Sequence, residues 1–341
     1  MFSSSPQRWD ILKKHLNVSL HQTSTTRWSA RVDCVRPLAR HASDVLKAVT
    51  ELSQLTNLTR ECRADIDGIM SYFGTFESLL MSSIWVKLLT DIHDTNLMIQ
   101  RKNATLDVKR LNIEKLVTSI KHMREMWPEI LDEAYIVASN IELTTSFATK
   151  RGETQEEARD RFKTDVFYVI VDSIIAGLTR RFTAVHDICN RFDFLWTFTQ
   201  TTENELADKV KTFQKLYSKT FSLDIEEEII RLKNVYEANF EKSVCPRDIY
   251  EEIYGLGLKA IFPNVLTALR IFLTLPATVA SNERSFSVLK RIKNCLRSNM
   301  LQERLNGLAM LNINCDMARE MDFSRLIEMF AEKKARKFLK R

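Results

Sequence analysis

Residues 277 to 297 read ATVASNERSFSVLKRIKNCLR and place one carboxylate, that of Glu283, among five Lys and Arg residues. Carboxylate oxygens bind divalent cations, and two such cations a few ångströms apart can stabilise the attacking and leaving oxygens when a DNA strand is cleaved. One Glu cannot hold two metal ions. Glu283 is therefore either one member of a larger catalytic set or a surface charge that contacts helix-face cations such as Lys290.

The residues that follow Glu283 predict an amphipathic helix with an apolar face and a basic face. The apolar face spans an arc of roughly 120° on a helical wheel and comprises Val288, Leu289, Ile292, Cys295 and Leu296. Lys290, Lys293 and Arg297 lie opposite. A second predicted helix carries the stripe Leu301, Leu305, Leu308 and Leu311. Two such helices need a surface to pack against, which is either another chain or the body of the same chain.

Composition indicates a folded and mostly helical protein. The 341 residues are 45% apolar, enough to fill a core, and include only 7 Gly and 6 Pro. The six Cys residues are scattered, with no C-x-x-C pair and no His at ligand spacing, so we expect reduced thiols and no metal site. The longest apolar stretch, VFYVIVDSIIAGL, is too short to span a bilayer, and no leader follows Met1. These features favour a soluble intracellular protein without membrane partners.

Helical periodicity divides most of the chain into several segments. The predicted helices cover residues 64–100, about 104–126, about 128–147 and about 154–191, and another opens at the acidic turn 224–228. Gly255 and Gly257 do not form a phosphate loop, because no strand precedes them and no Lys-Ser/Thr follows. We expect them to form a hinge between a helical domain, residues 1–262, and a C-terminal block, residues 263–341.

The C-terminal tail holds most of the net positive charge. The last eleven residues, AEKKARKFLKR, contain six Lys or Arg and one Glu, which gives +5 of the net +6. The tail is either a solvated helix end or a nuclear-import or phosphate-contact segment that uses Lys333, Lys334, Arg336 and Lys337.

The C-terminal sequence resembles the dimerisation block of hAT-superfamily transposases, especially their relatives among zinc-finger MYM-type and THAP proteins. The resemblance is carried by LTLPATVASNERSFSVLKRIKNCLRSNMLQERLNGLAMLNIN, with its Pro-x-x-x-x-Ser-x-Glu-Arg-x-Phe-Ser core, then Leu-Arg-x-x-Met, then Arg-Leu-x-x-Leu-x-x-Leu. Near the N-terminus, SSSPQRWDILKKH and STTRWSARVDCVRPL resemble segments that follow the second catalytic Asp in these proteins. The resemblance implies a mainly α chain, made of the helical insertion domain and terminal helices of a ribonuclease-H-like transposase fold.

By this resemblance, Glu283 corresponds to the third acidic residue of the family's Asp-Asp-Glu site. We expect the two Asp residues, the Cys/His block and the zinc-finger domain of the family to lie outside this chain, upstream of SSSPQRWD. Glu283 is then a vestigial catalytic residue, and no cofactor is expected, since Mg²⁺ would be needed only in a complete transposase. The chain is predicted not to be an enzyme.

Trp28 resembles a family Trp near the transposon end. A Trp can stack on a flipped base, and it can equally fill a core. We therefore keep Trp28 as a possible nucleic-acid contact, together with Lys290, Lys293, Arg297 and the basic residues of the tail.

The resemblance favours dimerisation as the role of the two amphipathic stripes. The predicted interface comprises Phe286, Leu289, Ile292, Leu296, Leu301, Leu305, Leu308 and Leu311. We expect a homodimer, or a complex with a hAT-related protein, located in the nucleus and with weak DNA binding. Two alternatives stay open, which are a fragment of an active DNA transposase and a nucleic-acid-binding adaptor that uses the basic residues.

Overall fold

A computed structural model describes residues 2, 5–18, 28–56, 58–101, 104–222, 224–239, 245–278, 280–294, 297 and 299–333. Within helices, it describes only the backbone of residues 28–30, 237–239, 280–285 and 333. Helices account for the regular secondary structure of these residues, with no strand among them, which confirms the mainly α prediction. The ribonuclease-H-like relationship stays a prediction.

The chain divides into two compact units, Met1–Ala277 and Thr278–Arg341. The first unit contains α1 (Pro6–His15), α2 (Trp28–Arg40), α3 (Ala42–Ser53), α4 (Arg60–Phe73), α5 (Phe76–Ile99), α6 (Leu106–Glu125), α7 (Trp127–Asn140), α8 (Gln155–Phe162), α9 (Val169–Phe192), α10 (Phe194–Thr197), α11 (Glu203–Leu216), α12 (Ile225–Asn239), α13 (Pro246–Gly255) and α14 (Pro263–Thr274). A π-helix, Lys163–Tyr168, joins α8 to α9, and a short 3₁₀-helix, Leu258–Ala260, precedes α14. The second unit contains α15 (Ala280–Ile292), α16 (Gln302–Ile313), α17 (Cys315–Glu320) and α18 (Ser324–Lys333).

Sequence signals at the helix starts explain several of these boundaries. Thr154 and Thr202 each form a capping box, in which the Thr hydroxyl accepts a hydrogen bond from the third residue of the helix and that residue's Glu accepts one in return. Proline occupies the first turn of four described helices, α1, α7, α13 and α14. In α2, by contrast, Pro37 lies inside the helix. Proline suits the first turn because the missing N–H has no intrahelical acceptor there.

Three clusters of buried side chains stabilise the first unit. One lies among α1, α3 and α4 and contains Leu12, Val49 and Leu52. A second joins α5 to the start of α9 and includes Phe76, Trp127 and Phe167. The third joins the end of α9 to α14 and is rich in aromatic rings, with Phe192 centred 5.1 Å from Phe213 and 5.5 Å from Phe272.

The predicted helical region 64–100 is two helices, because α4 ends at Phe73, with Gly74 as its C-cap, before α5 begins at Phe76. A Cβ atom at Gly74 would lie 2.7 Å from the carbonyl oxygen of Met70, so glycine allows the chain to turn there. The predictions for about 104–126 and about 128–147 correspond to α6 and α7, although α7 ends earlier, at Asn140.

The turn at Gly255 and Gly257 joins two helices of the same core. Gly257 has a φ of 72°, which glycine adopts without strain. Ile253 of α13 and Val265 of α14 are both fully buried in the third cluster. The expected hinge and the predicted boundary at residues 262/263 therefore fall inside the first compact unit, which continues to Ala277.

A buried carboxylate holds the start of α14. Glu228 of α12 is 4% exposed, and its Oε2 accepts hydrogen bonds from the backbone N–H groups of Asn264 at 2.9 Å and Val265 at 3.0 Å. Its Oε1 accepts a third from the Asn264 amide Nδ2 at 2.6 Å. A negative charge at a helix N-terminus satisfies amides that lack intrahelical partners and complements the helix dipole. Glu228 thus fixes α14 against α12.

The cysteines with described side chains, Cys34, Cys62, Cys189, Cys245 and Cys315, form no disulfide with one another. Burial raises the pKa of the Cys189 thiol to about 11, which keeps it protonated and unreactive. In the described part of the chain, none of the helices has both the length and the apolar composition needed to cross a bilayer.

We expect Glu228→Gln to lower the free energy of unfolding by about 1 to 3 kcal/mol, because the neutral amide is a weaker acceptor for the N–H groups of α14. Glu227→Gln is the matched control, since Glu227 is exposed on the same helix, and it should change stability by less than about 0.5 kcal/mol. Denaturant titration measures both. Equal effects of the two substitutions would contradict the role assigned to Glu228.

Candidate functional site

The apolar residues of α15 differ in burial, because three of them are half-buried while the aromatic ring of Phe286 is exposed. Val288, Leu289 and Ile292 are half-buried, and α15 is in contact with α16. Phe286 is 68% exposed. Lys290 of α15 follows Phe286 by four residues, and Lys293, whose N–H donates to the Leu289 carbonyl just past the helix end, follows it by seven. This spacing places all three on one face. Leu296, also predicted for the interface, lies outside the described residues.

The leucine stripe predicted for the second helix is divided in the same way. Leu305 and Leu308 of α16 are half-buried, whereas Leu301 is 79% exposed and Leu311 is 50% exposed. Half-burial places Leu305 and Leu308 in contacts within the chain, while Leu301 and Leu311 are accessible to a partner. Dimerisation through these positions stays a prediction.

Several exposed apolar residues of the second unit were not predicted from the sequence. We use the name C-terminal apolar surface for all the exposed large apolar residues of the second unit. Three of them were predicted, Phe286, Leu301 and Leu311. The others are Met310, Ile313, Met317, Met321, Leu326, Ile327, Met329 and Phe330. The spacing signal was present in the sequence, since Met310, Ile313 and Met317 recur at intervals of three and four residues. It competes with the Leu stripe, which occupies the same part of the sequence on α16.

The C-terminal apolar surface contrasts with the packing of the first unit. None of the described side chains from residue 278 to residue 333 is buried, whereas the first unit has three buried clusters. Single exposed apolar residues are common on protein surfaces, whereas contiguous apolar patches of several hundred Å² are found at interaction sites. Covering one such side chain stabilises by about 1.5 to 3 kcal/mol. The exposed apolar residues of the second unit are therefore a candidate interaction surface.

The start of α18 is defined by a polar turn. The Asp322 carboxylate accepts hydrogen bonds from the backbone N–H of Ser324 at 2.9 Å and from its hydroxyl at 2.6 Å. These hydrogen bonds, that of the hydroxyl first, lower the pKa of Asp322. The carboxylate therefore stays charged beside the N-terminus of α18, where the helix dipole favours a negative charge.

The residues predicted for nucleic-acid contact are only partly described. Lys290, Lys293 and Arg297 are exposed. Trp28 begins α2 and Lys333 ends α18, but their side chains, like residues 334–341 with Lys334, Arg336 and Lys337, lie outside the description.

Glu283 lies in the first half of α15, and only its backbone is described. Among the side chains that the structure describes, no group of three or more His, Cys, Asp or Glu residues is placed to hold a metal ion. The predicted local contact between Glu283 and Lys290 thus stays a prediction.

Comparison with known proteins assigns a family to the C-terminal region. Residues 257–317 match the hAT family C-terminal dimerisation region. This match confirms the resemblance to hAT-derived proteins for this part of the chain. The region starts at Gly257, includes α14 in the first unit, and continues through α15 and α16 into α17.

Two curated relatives share a short segment with the chain. The 52 kDa repressor of the inhibitor of the protein kinase from Mus musculus and its counterpart from Homo sapiens are each 38% identical to the chain over 77 residues. The shared segment is 23% of this chain, and it spans only 10% of the length of each relative. No solved structure gives a significant match. The closer relationship to MYM-type and THAP proteins stays a prediction.

Proposed function

We propose that the chain is a protein-association module of hAT transposase origin, which pairs with a second copy of itself or with a hAT-related protein. One observation carries the proposal: within the region that matches a dimerisation region, the residues that follow the packed helix α14 leave large apolar side chains uncovered. Ile313 is 74% exposed and Met310 is 59% exposed, both on α16 within the matched residues.

The free-energy balance supports stable pairing. Association costs about 4 to 15 kcal/mol in lost translational and rotational freedom. Burial of a handful of side chains at about 1.5 to 3 kcal/mol each is enough to exceed that cost. In a symmetric dimer the same residues are buried on both copies, so each interface position contributes twice. The second unit therefore offers enough apolar surface to exceed the free-energy cost of association.

The proposal includes the absence of catalysis by this chain alone. Two-metal DNA cleavage requires several carboxylates around the cations. Of the family's three acidic residues, Glu283 is the one for which the resemblance identifies a counterpart in this chain. Nuclear location and weak DNA contact are further parts of the proposal. They rest on the basic composition of residues 331–341 and on the exposed Lys290, Lys293 and Arg297.

We expect the full chain to have the mass of a dimer in solution and the double variant Met310→Glu, Ile313→Glu to dissociate. Loss of two apolar contacts per copy should raise the dimer dissociation constant by about tenfold or more. Because both positions are exposed, helical circular dichroism should be unchanged. Light scattering over a concentration series measures the mass.

The matched control for this experiment is Ile136→Glu, since Ile136 is also an exposed isoleucine, 62% accessible on α7 of the first unit. It should leave the dimer intact. A wild-type chain that remains monomeric at high concentration would refute the proposed function.

We expect the purified chain neither to nick nor to join DNA in Mg²⁺ or Mn²⁺, because Glu283 alone cannot hold a metal pair. A supercoiled plasmid and a labelled oligonucleotide report nicking and joining, with a chelator as the blank. Strand transfer by the wild-type chain that Glu283→Gln abolishes would contradict this expectation.

We expect any DNA affinity to be weak and to depend mainly on the tail. Each phosphate contact contributes a slope of about −0.9 to log K against log salt for duplex DNA, so deletion of residues 334–341 should weaken binding and flatten this slope. The deletion keeps α18 intact. The comparison variant replaces Lys290, Lys293 and Arg297 by Ala. If this variant loses more DNA affinity than the tail deletion does, the main DNA contact lies at these three residues and not in the tail.

A further inference from the structure

A cavity of about 350 Å³ lies among α5, α6 and α9 of the first unit, with one residue of α2 at its wall. Helix α6 is in contact with both α5 and α9, and all three helices contribute large apolar side chains to the wall. These side chains are Trp85, Leu89, Ile92 and Ile99 of α5, Ile113 and Leu116 of α6, and Ile174, Leu178 and Phe182 of α9. Cavities of roughly 300 to 1,000 Å³ with mainly apolar walls are typical of small-molecule sites. The lining of this cavity therefore suits a ligand with a hydrocarbon body.

A glycine in the middle of α9 enlarges the cavity. Ile174, Gly177, Leu178 and Arg181 all line it, and their spacing of three, four and seven residues places them on one face of the helix. Glycine inside a helix is destabilising relative to alanine. A Cβ atom at Gly177 would meet no described atom within 4 Å outside the helix's own backbone. Close packing of a neighbouring helix does not explain this glycine, and what its missing side chain leaves is open space at the cavity wall.

The polar groups of the cavity favour an anion. Of the described residues that line it, the charged ones are Arg31 and Arg181, both exposed, and neither Asp nor Glu is among them. Arg181 forms no ion pair with a described carboxylate of the chain. Asn96 also lines the cavity, and its Oδ1 accepts a hydrogen bond from Gln100 Nε2 at 3.0 Å, which leaves the Asn96 amide N–H groups as donors. The wall thus offers cations and donors without an opposing charge.

We propose that this cavity binds a small amphipathic anion, namely a fatty carboxylate. Its hydrocarbon chain lies against Trp85, Gly177 and Phe182, and its head group faces Arg181. Burial of the chain supplies most of the affinity, and the guanidinium, whose fork of N–H donors matches a carboxylate, selects the head group. The site is separate from the proposed association, because the cavity belongs to the first unit and the C-terminal apolar surface to the second.

The charges distinguish this ligand from other apolar molecules. A neutral hydrocarbon would fill the same wall but would leave Arg181 without a partner. An amphipathic cation would meet Arg31 and Arg181, and like charges disfavour that contact. An acyl chain with an anionic head also occurs in membrane lipids, so the test includes vesicles as a separate arm.

The first experiment fills the cavity by substitution at Gly177. Calorimetric titration of the full chain with dodecanoate, kept below its micelle concentration, should show binding by the wild type. We expect Gly177→Leu to raise the dissociation constant on the order of tenfold or more, because the leucine side chain occupies the space of the ligand. Leucine is a better helix former than glycine, so helical circular dichroism should be retained.

The matched control is Gly68→Leu. Gly68 is an exposed glycine inside α4, and a Cβ atom there also meets no described atom within 4 Å. Both variants thus make the same change at an open helical glycine, and only the substitution at Gly177 enters the cavity. Gly68→Leu should bind dodecanoate as the wild type does.

The second experiment tests the head group. Arg181→Gln should raise the dissociation constant for dodecanoate by about two- to fivefold, the range of a partly exposed ion pair. Its affinity for the neutral analogue dodecanol should change less, whereas a general disturbance of the cavity would weaken both ligands alike. Arg180→Gln is the control, since Arg180 is exposed beside Arg181 but does not line the cavity.

The third experiment locates the chain of the ligand. Bromine quenches tryptophan fluorescence on contact, so bromine-labelled dodecanoate at saturation should quench the wild type. Trp85→Phe should remove most of this quenching. Trp9→Phe should not, because Trp9 packs on the cluster among α1, α3 and α4.

Three results would overturn the site. They are no binding of dodecanoate by the wild type, equal affinities of Gly177→Leu and Gly68→Leu, and binding to anionic phosphatidylglycerol vesicles without binding of free dodecanoate. Equal affinities would place the ligand elsewhere, as on the C-terminal apolar surface. None of these results changes the expected mass of the dimer, so the proposed function is tested separately.

Discussion

The contact between Glu228 and the first amides of α14 is the interaction on which the C-terminal half of the first unit depends. Pro263 has no N–H, and the next two amides point at one carboxylate. Because the carboxylate is buried, these donors replace water around it, and removing the carboxylate would leave the two backbone amides without their side-chain acceptor. The helix fixed in this way carries Phe272 into the aromatic cluster. The matched dimerisation region thus begins within a packed core.

The two units differ in how much of their apolar side-chain surface is buried. The first unit buries its large side chains in three clusters and leaves scattered ones exposed, which is ordinary for a globular protein. The second unit leaves Phe286, Leu301 and Ile313 more than half exposed and buries none of its described side chains. A helical segment of this kind gains most of its stability from what it packs against. Its folding and its association are therefore expected to be thermodynamically linked.

Much of the helical fold could be predicted from the sequence, because it is encoded locally. Periodicity and Pro128 located α6 and α7, and the acidic turn located the start of α12. The break at Gly74 could not be predicted, since the region around it is apolar on both sides and the turn is set by a close backbone approach.

Tertiary contacts explain what the sequence left undetermined. In the sequence, Glu228 is one of several acidic residues in the first turn of α12, and nothing local distinguishes it from its neighbours. Its hydrogen-bond partner Asn264 lies in another helix, 36 residues away. The family motif located α15 and α16, but it could not separate half-buried Leu305 and Leu308 from exposed Leu301 and Leu311, because that division depends on helix–helix contact. Residues beyond the motif, such as Leu326 and Ile327, offered only a short apolar spacing.

The π-helix Lys163–Tyr168 determines which way α9 faces. Helical structure continues without a break from Gln155 to Phe192, and a π turn contains an extra residue relative to the α-helix. Since successive residues of an α-helix are about 100° apart, this extra residue rotates all side chains after it. Phe162, Phe167 and Val171, on both sides of the extra residue, enter one cluster. Phe192, about 30 Å further along the helix, enters another. Helical phase, adjusted near its start, and length together let one continuous rod serve two separate cores.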